Sequence, residues 1–215
     1  DINLNIPRGD SVGFIGSSGA GKSTLVDVIL GLLPPSSGSV KVDGVDICDN
    51  PRGWQDQVGY VPQSIYLTDD TLRRNIAFGL AEDQIDDEAV SRALRAAQLQ
   101  EFIDALPKGV NTLVGERGVR LSGGQLQRIG IARALYLDPP VLVLDEATSA
   151  LDTDTEQGVM DAVSALHGKK TLLIVTHRLS TVADCDRLYR LERGRLVDAN
   201  RSESVAGTDG FRAGK

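Results

Sequence analysis

The segment Gly16-Ser17-Ser18-Gly19-Ala20-Gly21-Lys22-Ser23-Thr24 stands between a short apolar run, Ser11–Ile15, and a stretch, Lys22–Leu33, with apolar residues at helical spacing. Strand, glycine-rich loop and helix in direct succession are the context that a phosphate-binding loop requires, and they commit the chain to an α/β fold. Glycines let backbone N–H groups converge on phosphate oxygens, and the helix N-terminus adds its partial positive charge. Lys22 is then placed to pair with β- and γ-phosphates, and the Ser23 hydroxyl to ligate Mg²⁺. A glycine-rich turn without a ligand is the plain alternative, and the flanking elements argue against it.

A second constraint is Val141-Leu-Val-Leu-Asp145-Glu146. Val141–Leu144 and Thr171–Thr176 lack polar alternation, as parallel strands buried on both faces do. Asp145 ends such a run, where an unpaired carboxylate is costly, so a role holding Mg²⁺ accounts for it. On an extended backbone Glu146 points to the other side, where it is placed to polarise an attacking water as general base.

The remaining elements follow from pattern and punctuation. Ile2–Ile6 alternates and predicts a strand that turns at Pro7–Gly9 into Ser11–Ile15. The helix from Lys22 is expected to stop at Pro34-Pro35. Asp43-Gly44 marks a hairpin between Ser39–Val42 and Val45–Ile47. Val58–Val61 predicts a strand ending at Pro62-Gln63. From about Thr71 to Leu106 the period turns helical, which predicts an inserted helical subdomain. Ser122 is a candidate N-cap for a helix reaching about Leu137, and an amphipathic helix is expected near Thr155–Leu166. Arg187–Leu191 and Arg195–Val197 predict a last hairpin, with a loosely held tail beyond Asn200.

Composition narrows the function. A net charge of −7 argues against a nucleic-acid binder, which would carry a basic face. Cys48 and Cys185 stand in no metal-like spacing and imply no disulfide framework. Apolar stretches such as Leu172–Val175 are too short to cross a bilayer. The first residue is Asp1, not Met, so a piece of a longer polypeptide is expected.

Leu121-Ser122-Gly123-Gly124-Gln125 supplies a second anion-binding surface: a hydroxyl, free N–H groups and a helix N-terminus. One nucleotide hardly needs two such surfaces from one monomer. In the order Gly16–Thr24, Leu121–Gln125, Val141–Glu146, these motifs resemble the nucleotide-binding domain of ATP-binding-cassette (ABC) proteins, and the likeness spans nearly the whole chain. The resemblance implies a phosphate-loop (RecA-like) core, an antiparallel β subdomain and an inserted helical subdomain. It implies that two cassettes pack head to tail around two ATPs, with Ser122, Gly123, Gly124 and Gln125 completing the partner's site. It also gives Gln63 contacts to Mg²⁺ and the attacking water, and gives His177 contacts to the γ-phosphate and to Glu146. Ala147–Asp152 matches the family's D-loop. His167 has no such setting and reads as a surface residue.

Further details resemble the exporter branch: Thr112-Leu-Val-Gly-Glu-Arg-Gly118, Thr176-His-Arg-Leu-Ser-Thr181 and the stretch Gln63–Ile76. The wording Ile65–Asp70 is similar to flippases of lipid-linked saccharides. Leu113 stands where many exporters have Glu. The aromatic residue that stacks on adenine is expected upstream of residue 1. Residues 1–200 are expected to form the cassette, with 71–137 as the helical subdomain, 1–70 and 138–200 as the core, and 201–215 as the tail. Implied partners are a transmembrane domain, received near Gln63–Asp70 with Tyr66 and Leu67 exposed, and a second cassette, at the cytoplasmic face of the membrane. The alternative is an ATPase of DNA repair or chromosome organisation, which would insert a long coiled coil absent here. A phosphate-loop kinase would lack the Ser-Gly-Gly element, and a non-hydrolysing cassette would lack catalytic positions.

Overall fold

Strands without alternation need cover on both faces, and they form the centre of the sheet. In the computed structural model, which describes residues 2–115, 120–149 and 151–201, the strands are β1 Ser11–Ile15, β2 Lys41–Val42, β3 Val45–Asp46, β4 Val58–Val61, β5 Val141–Asp145, β6 Thr171–Thr176, β7 Arg187–Glu192 and β8 Arg195–Arg201. The α-helices are α1 Lys22–Ile29, α2 Pro51–Gln55, α3 Leu72–Ile76, α4 Asp87–Ala96, α5 Gln100–Asp104, α6 Gly123–Leu135 and α7 Thr153–Ser164. One sheet runs β4-β5-β6-β1-β7-β8, parallel except for the β7/β8 hairpin at its edge.

Each central strand feeds two cores. Val12, Phe14, Val143, Leu173 and Val175 face α1 through Leu25 and Val26. Leu142, Leu144, Leu172 and Ile174 face the other side, against Ile129 and Ile131 of α6 and Val159 and Val163 of α7. At roughly 1.5–3 kcal/mol for each large side chain fully buried, this double cover fixes the register as well as the fold. The second cluster continues from Val61 through Leu135 to Leu94 in α4, so the helices between β4 and β5 share the core of the sheet.

Several expectations are corrected. Ile2–Ile6 keeps its alternation, with Ile2, Leu4 and Ile6 packed on the first core, but forms no strand. Alternation reports one-sided burial, and no described strand pairs with that segment. α1 stops before the proline pair: Gly31 at φ 70° lets Leu32 N–H donate to Asp27 O (2.8 Å) and Gly31 N–H to Val28 O (3.1 Å). This is a Schellman closure, complete at Leu32, before the proline pair is reached. The antiparallel β part reduces, among the described residues, to the two-residue strands β2 and β3. Positive φ at Asp43 (49°) and Gly44 (84°) matches the twist of a tight hairpin. β8 is longer than expected, running to Arg201. The tail beyond it and residues 116–118 of the exporter-like stretch lie outside the described residues.

Candidate functional site

Parallel register brings four strand ends to one edge of the sheet. Ile15 pairs with Thr176, Asp145 with Val175 and Val61 with Leu144. The chain segments leaving these strands carry Gly16–Thr24, Glu146, His177 and Gln63, so residues as far apart in sequence as Lys22 and Glu146 meet at the carboxyl ends. In open α/β sheets that is where ligands bind.

Gly16 is enclosed: a Cβ there would lie 2.6 Å from the Leu191 carbonyl oxygen of β7. The turn after β7 holds the loop from its far side, as Gly194 N–H donates to Ala20 O at 2.8 Å. Gly21, at φ 103°, precedes α1 and offers no side-chain cap. The first-turn N–H groups of Lys22, Ser23 and Thr24 therefore have no side-chain acceptor and point out of the helix start. Ser17, Ser18, Gly19, Ser23 and Thr24 are exposed. Lys22 is buried, and its ammonium donates to Gly16 O (2.9 Å) and Ser17 O (3.2 Å) and lies 3.5 Å from Glu146 Oε1. Its donors are thus held by the loop's own oxygens.

Glu146 is the hub. Gln63 Nε2 donates to its Oε2 at 3.2 Å, His177 Nδ1 stands 3.8 Å from that oxygen, and Lys22 approaches the other. The backbone at Glu146 is left-handed (φ 49°), not extended as the sequence suggested. Its N–H still donates to Val175 O at 2.8 Å, extending the β5/β6 ladder before the chain turns away. A non-glycine residue held there costs free energy, and the turn aims the carboxylate at Lys22 and His177. Asp145 is buried, and burial first, then the neighbouring Glu146 charge, push its carboxyl above the ordinary carboxylate range. Tyr60 Oη, 3.5 Å from Asp145 Oδ2, is a contact the sequence did not signal.

Ser122, Gly123, Gly124 and Gln125 lie apart from that edge, at the start of α6. Ser122 Oγ accepts from Gln125 N–H (3.2 Å) and Gln125 Oε1 accepts from Ser122 N–H (2.9 Å), a complete capping box. None of these hydrogen bonds reaches Gly16–Thr24 or Glu146. Their link to the site is indirect: Gln127, two residues further along α6, donates to the Gln63 carbonyl at 3.4 Å.

Tyr66 is 75% exposed, whereas Leu67 is half-buried and packs on the core, contrary to expectation. The fully buried Asn75 and the half-buried Arg133 shape that segment. Asn75 bonds the backbone of Thr68 on both sides, and Arg133 donates to Tyr66 O (3.0 Å) and Asn75 O (2.8 Å). Sequence reading missed both, and gave Arg178 only as part of the exporter-like stretch Thr176–Thr181, without a role. Among the described residues no helix is long and apolar enough to cross a membrane.

A parallel sheet carrying a glycine-rich loop and an uncapped helix start on its central strand, with paired carboxylates ending the strand two places over, defines a phosphate-loop nucleotide-binding domain. Residues 1–149 match the ABC transporter family, and the chain belongs to it. It is 43% identical over 215 residues to an ATP-dependent lipid A-core flippase of Cupriavidus pinatubonensis, covering 99% of this chain and 36% of that protein. A flippase of the same description from Desulfotalea psychrophila is 41% identical over 210 residues, covering 97% and 36%. Among solved structures, a bacterial Atm1-family ABC exporter with ATP bound superposes with a TM-score of 0.82 at 40% identity, covering 96% of this chain and 36% of that one. The chain therefore spans about a third of the length of the relatives it matches.

Proposed function

We propose that this chain binds ATP with Mg²⁺ and hydrolyses it as the motor of an exporter that flips a lipid-linked saccharide across the membrane. The observation that carries the reading is the convergence of Lys22, Gln63 and His177 on Glu146, at 3.2–3.8 Å, beside the open start of α1. Its support beyond geometry is the family match and the similarity to lipid A-core flippases.

On this reading the N–H groups of Gly19–Thr24 and the Lys22 ammonium hold the β- and γ-phosphates, Lys22 exchanging loop carbonyls for phosphate oxygens. Ser23, Gln63 and Asp145 would hold Mg²⁺, which supplies charge neutralisation on the phosphates. The donor set fits: hydroxyl, amide and carboxylate oxygens suit a hard cation, and Asp145 carries negative charge that Lys22, turned to Glu146, leaves largely uncompensated. Glu146 accepts a proton from the water that Gln63 orients, and His177 contacts the γ-phosphate. Ser122, Gly123, Gly124 and Gln125 serve the ATP of a second cassette; the support is that their capping-box bonds stay within 122–125 and none reaches this chain's Gly16–Thr24 or Glu146. Residues 71–137 act as the helical subdomain, with 1–70 and 138–200 as the core. The surface around Tyr66 receives a transmembrane domain at the cytoplasmic face of the membrane.

The test is Glu146→Gln in the full-length protein. ATP should still bind, turnover should fall by about 10²–10⁴-fold, and an ATP-held cassette dimer should accumulate. Near-normal turnover would remove Glu146 from the role of base.

A further inference from the structure

Behind the catalytic edge, one guanidinium joins two loops that the mechanism uses separately. Arg178 follows His177. Its Nη1 and Nη2 donate to Leu151 O (both 3.2 Å), and Nη2 also to Ser149 O (3.1 Å), in the loop that leaves Glu146. Nη1 meets the buried carboxylate of Glu156 on α7 at 2.5 Å. Glu156 in turn accepts from Thr148 Oγ1 (3.1 Å), in the same loop, and Thr181 Oγ1 (2.6 Å), in the loop after β6. Burial pushes the Glu156 carboxyl up, but the bonds from Thr181, Arg178 and Thr148 outweigh it and hold the group ionised, below its ordinary range. Ser149 lies within reach of Gln63 as well, its Oγ 3.5 Å from Gln63 Nε2.

We propose that Arg178 is a positioning residue that ties the loop 147–152 to the loop 177–181, so that Glu146, Gln63 and His177 keep one relative placement during ATP hydrolysis. The carbonyls of Ser149 and Leu151 are the tether; the Glu156 carboxylate aims the guanidinium at them. A single lysine ammonium cannot span two carbonyls and a carboxylate in this fork, so the arrangement is specific to arginine. Leu151 lies next to the start of α6, where its side chain fills the space beside Gly123. The tether therefore also fixes the neighbour of the surface assigned to the partner's ATP.

The inference rests on the reading of Glu146 and His177 as hydrolytic, and two variants separate the tether from the ion pair. Arg178→Gln alone would strand a buried carboxylate and destabilise the fold for a trivial reason. In the full-length protein we therefore compare Glu156→Gln with Glu156→Gln/Arg178→Gln. Both lack the ion pair, and only the first keeps the carbonyl tether. The first should retain at least about a third of wild-type kcat. The second should lose at least about tenfold in kcat, a cost typical of sub-ångström to ångström misplacement of reacting groups. Its ATP affinity, titrated with a fluorescent ATP analogue, and its Tm should match those of the first. Equal kcat in the two variants would overturn the proposal, as would a double variant that loses ATP affinity and Tm together with turnover. Glu146→Gln in the wild-type background tests the underlying reading by itself: retained turnover there sinks that reading, whatever the two Glu156 variants do.

Discussion

Helices α1 and α6 both begin beside glycines at the edge of a loop, yet one start is open and the other is closed by its own side chains. At α1, Gly21 gives no cap, and the nearest charge is the Lys22 ammonium folded back on Gly16 and Ser17. At α6, Ser122 and Gln125 satisfy each other's backbone N–H. An open start leaves N–H groups for a ligand and is incomplete without one. A capped start is stable facing solvent, and the Ser122 hydroxyl, which accepts from Gln125, keeps its own proton to donate. On the proposed reading the two ends suit different tasks: α1 a phosphate cradle within this chain, α6 a surface for the ATP of a second cassette.

Four substitutions break or sharpen that contrast. The largest effect belongs to Glu146→Gln, about 10²–10⁴-fold in turnover with ATP binding kept, measured by steady-state hydrolysis beside equilibrium titration. Lys22→Ala should act on the open end instead. Losing charge-assisted bonds of about 1.5–3 kcal/mol weakens ATP binding by roughly ten- to a hundredfold, and calorimetry reads it directly. Ser122→Ala removes a cap, costing about 1 kcal/mol, or roughly 2–4 °C in Tm for a chain of this size, with ATP affinity of the isolated site unchanged.

The smallest effect is Asp145→Asn, which should raise the nucleotide-free Tm at pH 7. The folded-state pKa of Asp145 lies above its ordinary 3.8, so the folded protein binds more protons in the window above that value. Stability then falls as pH rises through the window, and an uncharged amide escapes the loss. The advantage of Asn should vanish as the pH approaches 4. A Tm difference independent of pH would assign the effect to something other than the carboxylate charge.

What the sequence disclosed depended on how local each decision was. Ser122 as a cap is settled by four consecutive positions, and the run Val141–Leu144 by the absence of alternation. Ile2–Ile6 shows the limit: its pattern records which side is buried, but a strand needs a partner edge, and pattern is silent on partners. Pro34-Pro35 drew attention because proline forbids helix, while Gly31 had already closed it through a left-handed turn. Glu146 was placed beside Asp145 by order alone; its left-handed backbone turns the chain out of the sheet just after the last β5/β6 ladder bond, which no local pattern announces. Arg178 was illegible because its meaning lies in two carbonyls 27 and 29 positions away. Leu67 was expected to be exposed with Tyr66 in a surface that receives a transmembrane domain, yet it packs on the core.

The central claim is that Ser122 meets a phosphate from a second cassette, and Ser122→Asp tests it most directly. Aspartate is as good an N-cap as serine, so Tm and the ATP affinity of the isolated site should stay at wild-type values. Its charge, however, would face the γ-phosphate, and the donated proton is gone. ATP hydrolysis at saturating ATP should then fall by at least about a hundredfold, a loss of roughly 2.7 kcal/mol. Wild-type turnover by Ser122→Asp under those conditions would contradict the shared site.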